Sequence, residues 1–126
     1  KGAVEIKKGL RDKLELGNMD SSRDWGHSYD YVRAMHLLLN HSEARDWIVS
    51  TGETRTVRQL CDYVFTSLGL NYKDYVVQDE RYMRPEELKY LRGDSGDIRN
   101  KLGWNPKYNF EMMIDEMINV WKERLS

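Results

Sequence analysis

Apolar residues recur at helical spacing in five segments of this chain, each of which is therefore predicted to form a helix. These segments are residues 3–11, 28–40, 57–68, 95–102 and 110–125. Thr56 and Gln59 have the spacing of a capping box before the third helix, and Asn109 is suited to cap the last one. Gly69 and Gly103 follow two of the segments and are expected to end them.

Shorter apolar runs between the helices predict strands. The runs lie at residues 14–16, 47–49 and 75–77. Residues 87–91 are ambiguous between strand and helix. A few short strands alternating with helices predict an α/β fold with an α+β-like character. No internal repeat or flexible linker interrupts the pattern, so residues 1–126 are predicted to form a single domain.

The apolar pattern also predicts which side chains pack in the core. Val32, Met35, His36 and Leu39 share one face of the second helix, so His36 is expected to be a packed core histidine. Cys61 lies within the apolar stripe of the third helix and is interpreted as a small core residue rather than a nucleophile.

Composition narrows the class of protein. The 126 residues carry 20 Lys and Arg against 21 Asp and Glu, a net charge of −1, which argues against nucleic-acid binding. No apolar run is long enough for a membrane span. A single cysteine cannot form an internal disulfide, which favours a reducing, cytoplasmic location.

Because Lys1 begins inside the first predicted helix without a capping residue, we expect the native protein to extend upstream.

The sequence contains no strong catalytic motif. It has no glycine-rich phosphate loop, and three scattered histidines with one cysteine argue against a zinc site. His27 and Asp30 have the spacing of a catalytic pair, but the favoured interpretation makes His27 a loop residue and Asp30 a favourable charge at a helix start. His41 is expected to be exposed.

Two arginine-bearing segments are the candidate binding elements. Residues 23–27 read Arg-Asp-Trp-Gly-His, and residues 81–87 read Arg-Tyr-Met-Arg-Pro-Glu-Glu. Guanidinium groups bind phosphate oxygens through paired hydrogen bonds, so arginines from two distant loops are able to clamp a diphosphate. The alternative is that these arginines form surface ion pairs with the many carboxylates.

The same segments carry a resemblance to a known family. In chain order, eight short stretches resemble motifs of the GDP-mannose 4,6-dehydratases: residues 16–20, 23–27, 30–32, 51–54, 57–58, 81–87, 93–94 and 101–107. These enzymes belong to the extended short-chain dehydrogenase/reductase group. The match runs from about residue 12 to the end of the chain, and the combination of motifs is specific.

The resemblance implies the small C-terminal substrate-binding domain of such an enzyme, without the Rossmann domain. It implies that the complete enzyme, a lyase, uses tightly bound NADP to oxidise C4 of GDP-mannose, eliminate water across C5 and C6, and return the hydride to C6. The product is GDP-4-keto-6-deoxymannose, a precursor in GDP-fucose biosynthesis. None of the catalytic residues matches a position here, so this chain alone is expected to be inactive and to bind no cofactor. The complete enzyme is expected to be a homo-oligomer, and the isolated domain to self-associate through exposed apolar surface.

The family motifs also assign binding roles. By resemblance, Arg23 and Arg84 hold the GDP diphosphate, and Glu87 contacts the ribose or the guanine. The turn from Leu16 to Asn18 would line the base pocket, and residues 87–91 would form a strand. Glu86 departs from the family pattern, which has a small residue there. Alternatives are the substrate domain of another nucleotide-sugar epimerase, dehydratase or reductase, or a non-catalytic binding module.

Overall fold

Five helices and four short strands form the structure, a computed structural model that describes residues 1–126. The helices are α1 (Gly2–Lys7), α2 (Ser28–Leu39), α3 (Val57–Ser67), α4 (Gly96–Leu102) and α5 (Phe110–Arg124). The strands are β1 (Leu14–Leu16), β2 (Ser22–Arg23), β3 (Arg55–Thr56) and β4 (Val76–Gln78). Two 3₁₀ turns cover Tyr72–Asp74 and Glu80–Tyr82. The five predicted helices and the mixed helix-and-strand class are confirmed.

The strands pair into two small sheets. β1 runs parallel to β4, with Leu14 opposite Val76, and β2 runs antiparallel to β3. The strands predicted at residues 14–16 and 75–77 are therefore confirmed, the second displaced by one residue. The strand implied for residues 87–91 is reduced to an isolated parallel bridge between Tyr90 and Ser22.

The larger core lies between α1, α3 and α5, where apolar faces from three parts of the chain meet. Its buried members are Ala3, Val4, Ile6, Met19, Cys61, Phe65, Leu68, Tyr72, Phe110, Ile114 and Ile118. Cys61 is buried among them, as predicted, and this burial raises the pKa of its thiol to about 11. A thiol that stays protonated at neutral pH is a weak nucleophile.

A smaller cluster joins α2 to α4. Ala34, Ile98 and Trp104 are all fully buried there. The indole Nε1 of Trp104 donates a hydrogen bond of 2.9 Å to the backbone carbonyl of Asp30, so the ring is satisfied as well as packed. This cluster fixes the loop after α4 against the start of α2, which matters for the site below.

The helix ends follow the predicted signals. Thr56 and Gln59 form the complete capping box of α3, and the Asn109 side chain accepts from the Met112 amide at the start of α5. Glycines with positive φ lie just beyond α1, α3 and α4, where a left-handed residue ends a helix. These are Gly9, Gly69 and Gly103. The first of them makes α1 shorter than the predicted helix over residues 3–11.

The predicted strand at residues 47–49 is wrong. The segment is not assigned to any strand, and no backbone ladder pairs with it. Trp47 and Val49 instead pack against the smaller cluster, while Ile48 is exposed. The apolar run thus marked a segment that contributes to packing, but a strand also requires a neighbour for its hydrogen bonds.

The packing face predicted for α2 is also wrong. Val32, Met35 and Leu39 are exposed, and so is His36, which is not a core histidine. The buried positions of α2 are Asp30 and Ala34. The small Ala34 packs against the indole of Trp104, and Asp30 is held by hydrogen bonds. The buried face of α2 was therefore set by these two contacts and not by the number of apolar residues on the face.

His41, expected to be exposed, is half-buried, with its ring edge-on to Trp47 at a centroid distance of 5.5 Å. None of the five helices combines the length and the apolar character that crossing a membrane requires.

Candidate functional site

A cavity of about 250 Å³ lies between the β2–β3 pair and the first turn of α5. Four cationic side chains and one carboxylate line it, together with aromatic and polar groups. The cations are Arg23, Arg55, Arg99 and Lys107, and the carboxylate is Glu53. Trp25, Tyr108 and Phe110 supply aromatic surface. This excess of positive charge makes the cavity suited to an anionic ligand.

Arg23 reaches this cavity from β2 and is the first of the predicted binding residues. Its Nη1 donates to the backbone carbonyls of Ser22 and Leu88, at 2.8 and 2.7 Å. Its Nη2 donates to Glu87 Oε1 at 3.2 Å. The structure therefore brings together two predicted site residues that are 64 positions apart in the chain.

Asp24 ties three segments together beside Arg23. One carboxylate oxygen accepts from the amide and hydroxyl of Thr51, and the other accepts from the amides of Gly52 and Gly93. Both oxygens are thus fully used by hydrogen bonds. Asp24 holds the loop that carries Thr51 and Glu53 at the cavity wall.

Asp30 fixes the opposite wall. It is 1% exposed and accepts from the amides of Lys107 and Tyr108, at 2.9 and 3.0 Å, and from Arg33 Nη2 at 2.8 Å. Burial by itself raises the pKa of this carboxyl, but the hydrogen bonds from Arg33 and the two amides outweigh it, so the pKa lies below its ordinary value. The ionised carboxylate is therefore a structural anchor for residues 106–109.

His27 and Asp30 do not form a catalytic pair. His27 caps α2, where its Nδ1 accepts from the Tyr29 amide at 3.1 Å, and its ring stacks on Tyr108 at 3.9 Å. Its Nε2 lies 3.2 Å from Glu116. Both residues are engaged in building the site, and neither presents a free group for proton transfer in the cavity.

The remaining predicted site residues lie outside the cavity lining. Arg84 is exposed and forms no hydrogen bond or ion pair. Leu16 packs against the larger core, and Asn18 Oδ1 accepts from the Asp20 amide. The turn between them lies against the arginine-bearing segment at residues 81–87. This is shown at Gly17, where an added Cβ would lie only 2.3 Å from the Tyr82 carbonyl oxygen.

Several site residues were missed by sequence reasoning. Arg55, Arg99 and Lys107 come from three separate segments, and no motif assigned any of them a binding role. Asp30 was interpreted as a charge at the start of α2, which it is, but its bonds to residues 77 and 78 positions away leave no local trace. The signal in the sequence that could have pointed to Asp24 and Asp30 as part of the site was their closeness to Arg23 in the chain.

The structure offers no cluster of His, Cys, Asp or Glu suited to a metal ion. None of its strand–helix junctions has the strand, glycine-rich turn and helix that cradle a dinucleotide.

Comparisons with known proteins identify the relatives of this chain. The family model for GDP-mannose 4,6 dehydratase matches residues 1–117. GDP-mannose 4,6 dehydratase 1 of Arabidopsis thaliana is 46% identical over 121 residues, covering 93% of this chain and 34% of that protein. GDP-mannose 4,6 dehydratase of Homo sapiens is 32% identical over 137 residues, covering 95% of this chain and 37% of that protein. The chain thus spans about a third of the length of these curated relatives.

Solved structures share the fold. The structure of RMD from Pseudomonas aeruginosa complexed with NADPH superposes with a TM-score of 0.86 at 27% identity, covering 97% of this chain and 40% of that one. UDP-glucose 4-epimerase from Thermotoga maritima, solved with UDP-glucose, gives a TM-score of 0.82 at 22% identity, covering 98% and 38%. The first match agrees with the C-terminal portion of an extended short-chain dehydrogenase/reductase, and the second shows the same fold.

Proposed function

This chain belongs to the GDP-mannose 4,6 dehydratase family, and on that premise we propose that it binds the nucleotide-sugar substrate of a GDP-mannose 4,6-dehydratase. In this proposal the chain holds GDP-mannose, and the conversion to GDP-4-keto-6-deoxymannose is carried out by residues that are not among these 126. The chain alone is inactive.

The observation that carries the proposal is the cation-lined cavity with Arg23 in its wall. A nucleotide diphosphate brings two or more negative charges on closely spaced oxygens, which guanidinium groups bind through paired, charge-assisted hydrogen bonds. Arg23 is only 24% exposed, so its interaction with a phosphate is screened less than that of a surface arginine.

Glu87 has a role that depends on the ligand. Without ligand, its carboxylate accepts from Arg23. A phosphate competes for the same guanidinium, and the carboxylate then becomes available to accept hydrogen bonds from ribose hydroxyls or from the guanine edge. This exchange replaces one charge-assisted pair by another and gives the displaced carboxylate neutral hydrogen-bond donors on the ligand.

Arg84 completes the proposed diphosphate site from the exposed segment after the Glu80–Tyr82 turn. The contact between Gly17 and Tyr82 supports a position near the Leu16–Asn18 turn, which we propose to lie beside the base. Because Arg84 is unpaired, ligand binding does not have to break an existing ion pair at this residue.

For the complete enzyme we propose NADP as the cofactor, assembly as a homo-oligomer, and a role in GDP-fucose biosynthesis in the cytoplasm. The NADPH complex of the similar Pseudomonas aeruginosa protein supports a nicotinamide cofactor. NADP supplies hydride transfer when bound, whereas the residues described here serve to bind and orient the substrate.

Isothermal calorimetry of this chain with GDP-mannose tests the proposal. We expect Arg23→Ala and Arg84→Ala each to weaken binding by about tenfold or more, because each removes a charge-assisted hydrogen-bonding group. Arg124→Ala is the matched control, since Arg124 lies at the far end of α5, about 20 Å from the turn that borders the cavity.

Two outcomes contradict the proposal: a wild-type chain that binds no guanine nucleotide, or equal binding by the wild type and both arginine variants. Competition with UDP- and dTDP-sugars tests the base. A preference for either of them over GDP-mannose would assign the chain to a different nucleotide-sugar enzyme.

A further inference from the structure

Arg55 is one of three cationic residues of the cavity to which neither the family motifs nor the sequence pattern assigned a role. We propose that Arg55 is a second diphosphate-binding residue, acting together with Arg23 across the β2–β3 pair. This inference rests on the proposed function and adds a specific residue to it.

The hydrogen-bonding state of Arg55 distinguishes it from the other arginines of the cavity. Arg23 donates to Glu87 and two carbonyls, and Arg99 donates to Ser95 Oγ and to the carbonyls of Ser50 and Thr51. Arg55 donates only from Nη1, to the Thr54 carbonyl at 3.0 Å. Its Nε and Nη2 groups donate no hydrogen bond, which leaves these N–H groups available to a ligand.

The nearest carboxylates do not satisfy Arg55. Its Nη2 is 3.6 Å from Glu53 Oε2 and 3.9 Å from Glu111 Oε1, both longer than a charge-assisted hydrogen bond. The side chains of Glu53 and Glu111 are 68% and 46% exposed, so both ion pairs are screened by solvent. A phosphate in the cavity therefore competes with weak partners only.

The position of Arg55 is set by the sheet and by Phe110. Arg55 lies directly opposite Arg23 in the antiparallel register, and like charges in such a pair destabilise each other. An anion between them would convert this repulsion into attraction. Its guanidinium also lies 5.3 Å from the centre of the Phe110 ring, which holds the side chain at the cavity wall.

Calorimetric titration of this chain with GDP and with guanosine tests the inference. We expect Arg55→Ala to weaken GDP binding by about tenfold, while guanosine, which has no phosphate, binds equally to the wild type and the variant. Arg55→Lys is expected to recover part of the loss because it keeps the charge without the planar fork. Glu53→Gln is expected to tighten GDP binding by about twofold, because it removes a negative charge from the lining.

The outcomes separate this inference from the proposed function. If Arg55→Ala binds GDP like the wild type while Arg23→Ala does not, the role of Arg55 is wrong and the proposed function stands. If Arg55→Ala weakens GDP and guanosine equally, the effect is structural and the inference is overturned. If Arg23→Ala, Arg55→Ala and Arg84→Ala all bind GDP like the wild type, the proposed function fails as well.

Discussion

Asp24 and Asp30, which hold the cavity walls, differ from Arg55 in the cavity lining and Arg84 outside it in how completely their hydrogen bonds are formed. Both oxygens of Asp24 and both oxygens of Asp30 accept hydrogen bonds from the protein itself. Arg55 uses one of its three nitrogens, and Arg84 uses none. Satisfied charges hold the fold, whereas unsatisfied charges beside a cavity are available to a ligand. Substitutions of the two groups should therefore affect different properties.

The largest effect is expected for Asp30→Ala. It leaves the amides of Lys107 and Tyr108 and the charge of Arg33 without their acceptor, and we expect a loss of about 3 kcal/mol in the free energy of unfolding. Urea denaturation followed by circular dichroism measures it. Asp46→Ala, at an exposed aspartate, is the control and should change stability by less than about 0.5 kcal/mol. A loss below about 1 kcal/mol for Asp30→Ala would mean that this anchor is not structural.

Asp24→Ala should have the next largest effect, about 2 kcal/mol, because it frees the amides of Thr51, Gly52 and Gly93 at a half-buried position. Asp24→Asn keeps one acceptor oxygen and should lose less. The same denaturation experiment checks both variants. Equal stability of Asp24→Ala and the wild type would refute the assignment of Asp24 to the fold.

Acid should remove the contribution of Asp30 in a defined range. Its folded-state pKa is below the ordinary value of 3.8, so its stabilisation is fully present well above pH 3.8 and is lost as the pH falls through the folded pKa. Unfolding measured from pH 6 down to pH 2 should show a steeper loss in the wild type than in Asp30→Asn. Parallel curves would show that Asp30 does not titrate differently on folding.

The smallest effect on stability is expected for the arginines. Arg55→Ala and Arg84→Ala break few or no hydrogen bonds and should each change the free energy of unfolding by less than about 0.5 kcal/mol. Both variants are nevertheless expected to weaken ligand binding. A loss of stability comparable to that of Asp24→Ala would remove the distinction between the two groups.

The sequence predicted the features that depend on residues close together in the chain and missed those that depend on distant ones. Local signals succeeded: the capping box at Thr56 and Gln59, and the stop at Gly103, act within a few residues. The failures at residues 47–49 and on the exposed face of α2 depended on partners far along the chain. A strand needs a neighbouring strand, and a helix face is chosen by what packs against it.

For the candidate site, too, the sequence pointed to some residues and missed others. The resemblance named Arg23 and Glu87 as binding residues, and the structure places the two in contact. Their roles in binding stay predictions. Arg55 was missed because its significance lies in the register opposite Arg23, which no local pattern shows. The roles of Arg84, Leu16 and Asn18 in binding stay predictions.

The central claim is that Arg23 and Arg55 at this cavity, together with Arg84 outside its lining, bind a nucleotide diphosphate. Nuclear magnetic resonance of the arginine Nε–H groups during a titration with GDP tests it directly, with each resonance assigned through its Arg→Lys variant. We predict that the signals of Arg23, Arg55 and Arg84 shift on addition of GDP. The signal of Arg45, which is paired with Asp97 and stacked on Trp47, should stay in place. Unchanged signals for the first three, or an equal shift for Arg45, would contradict the account.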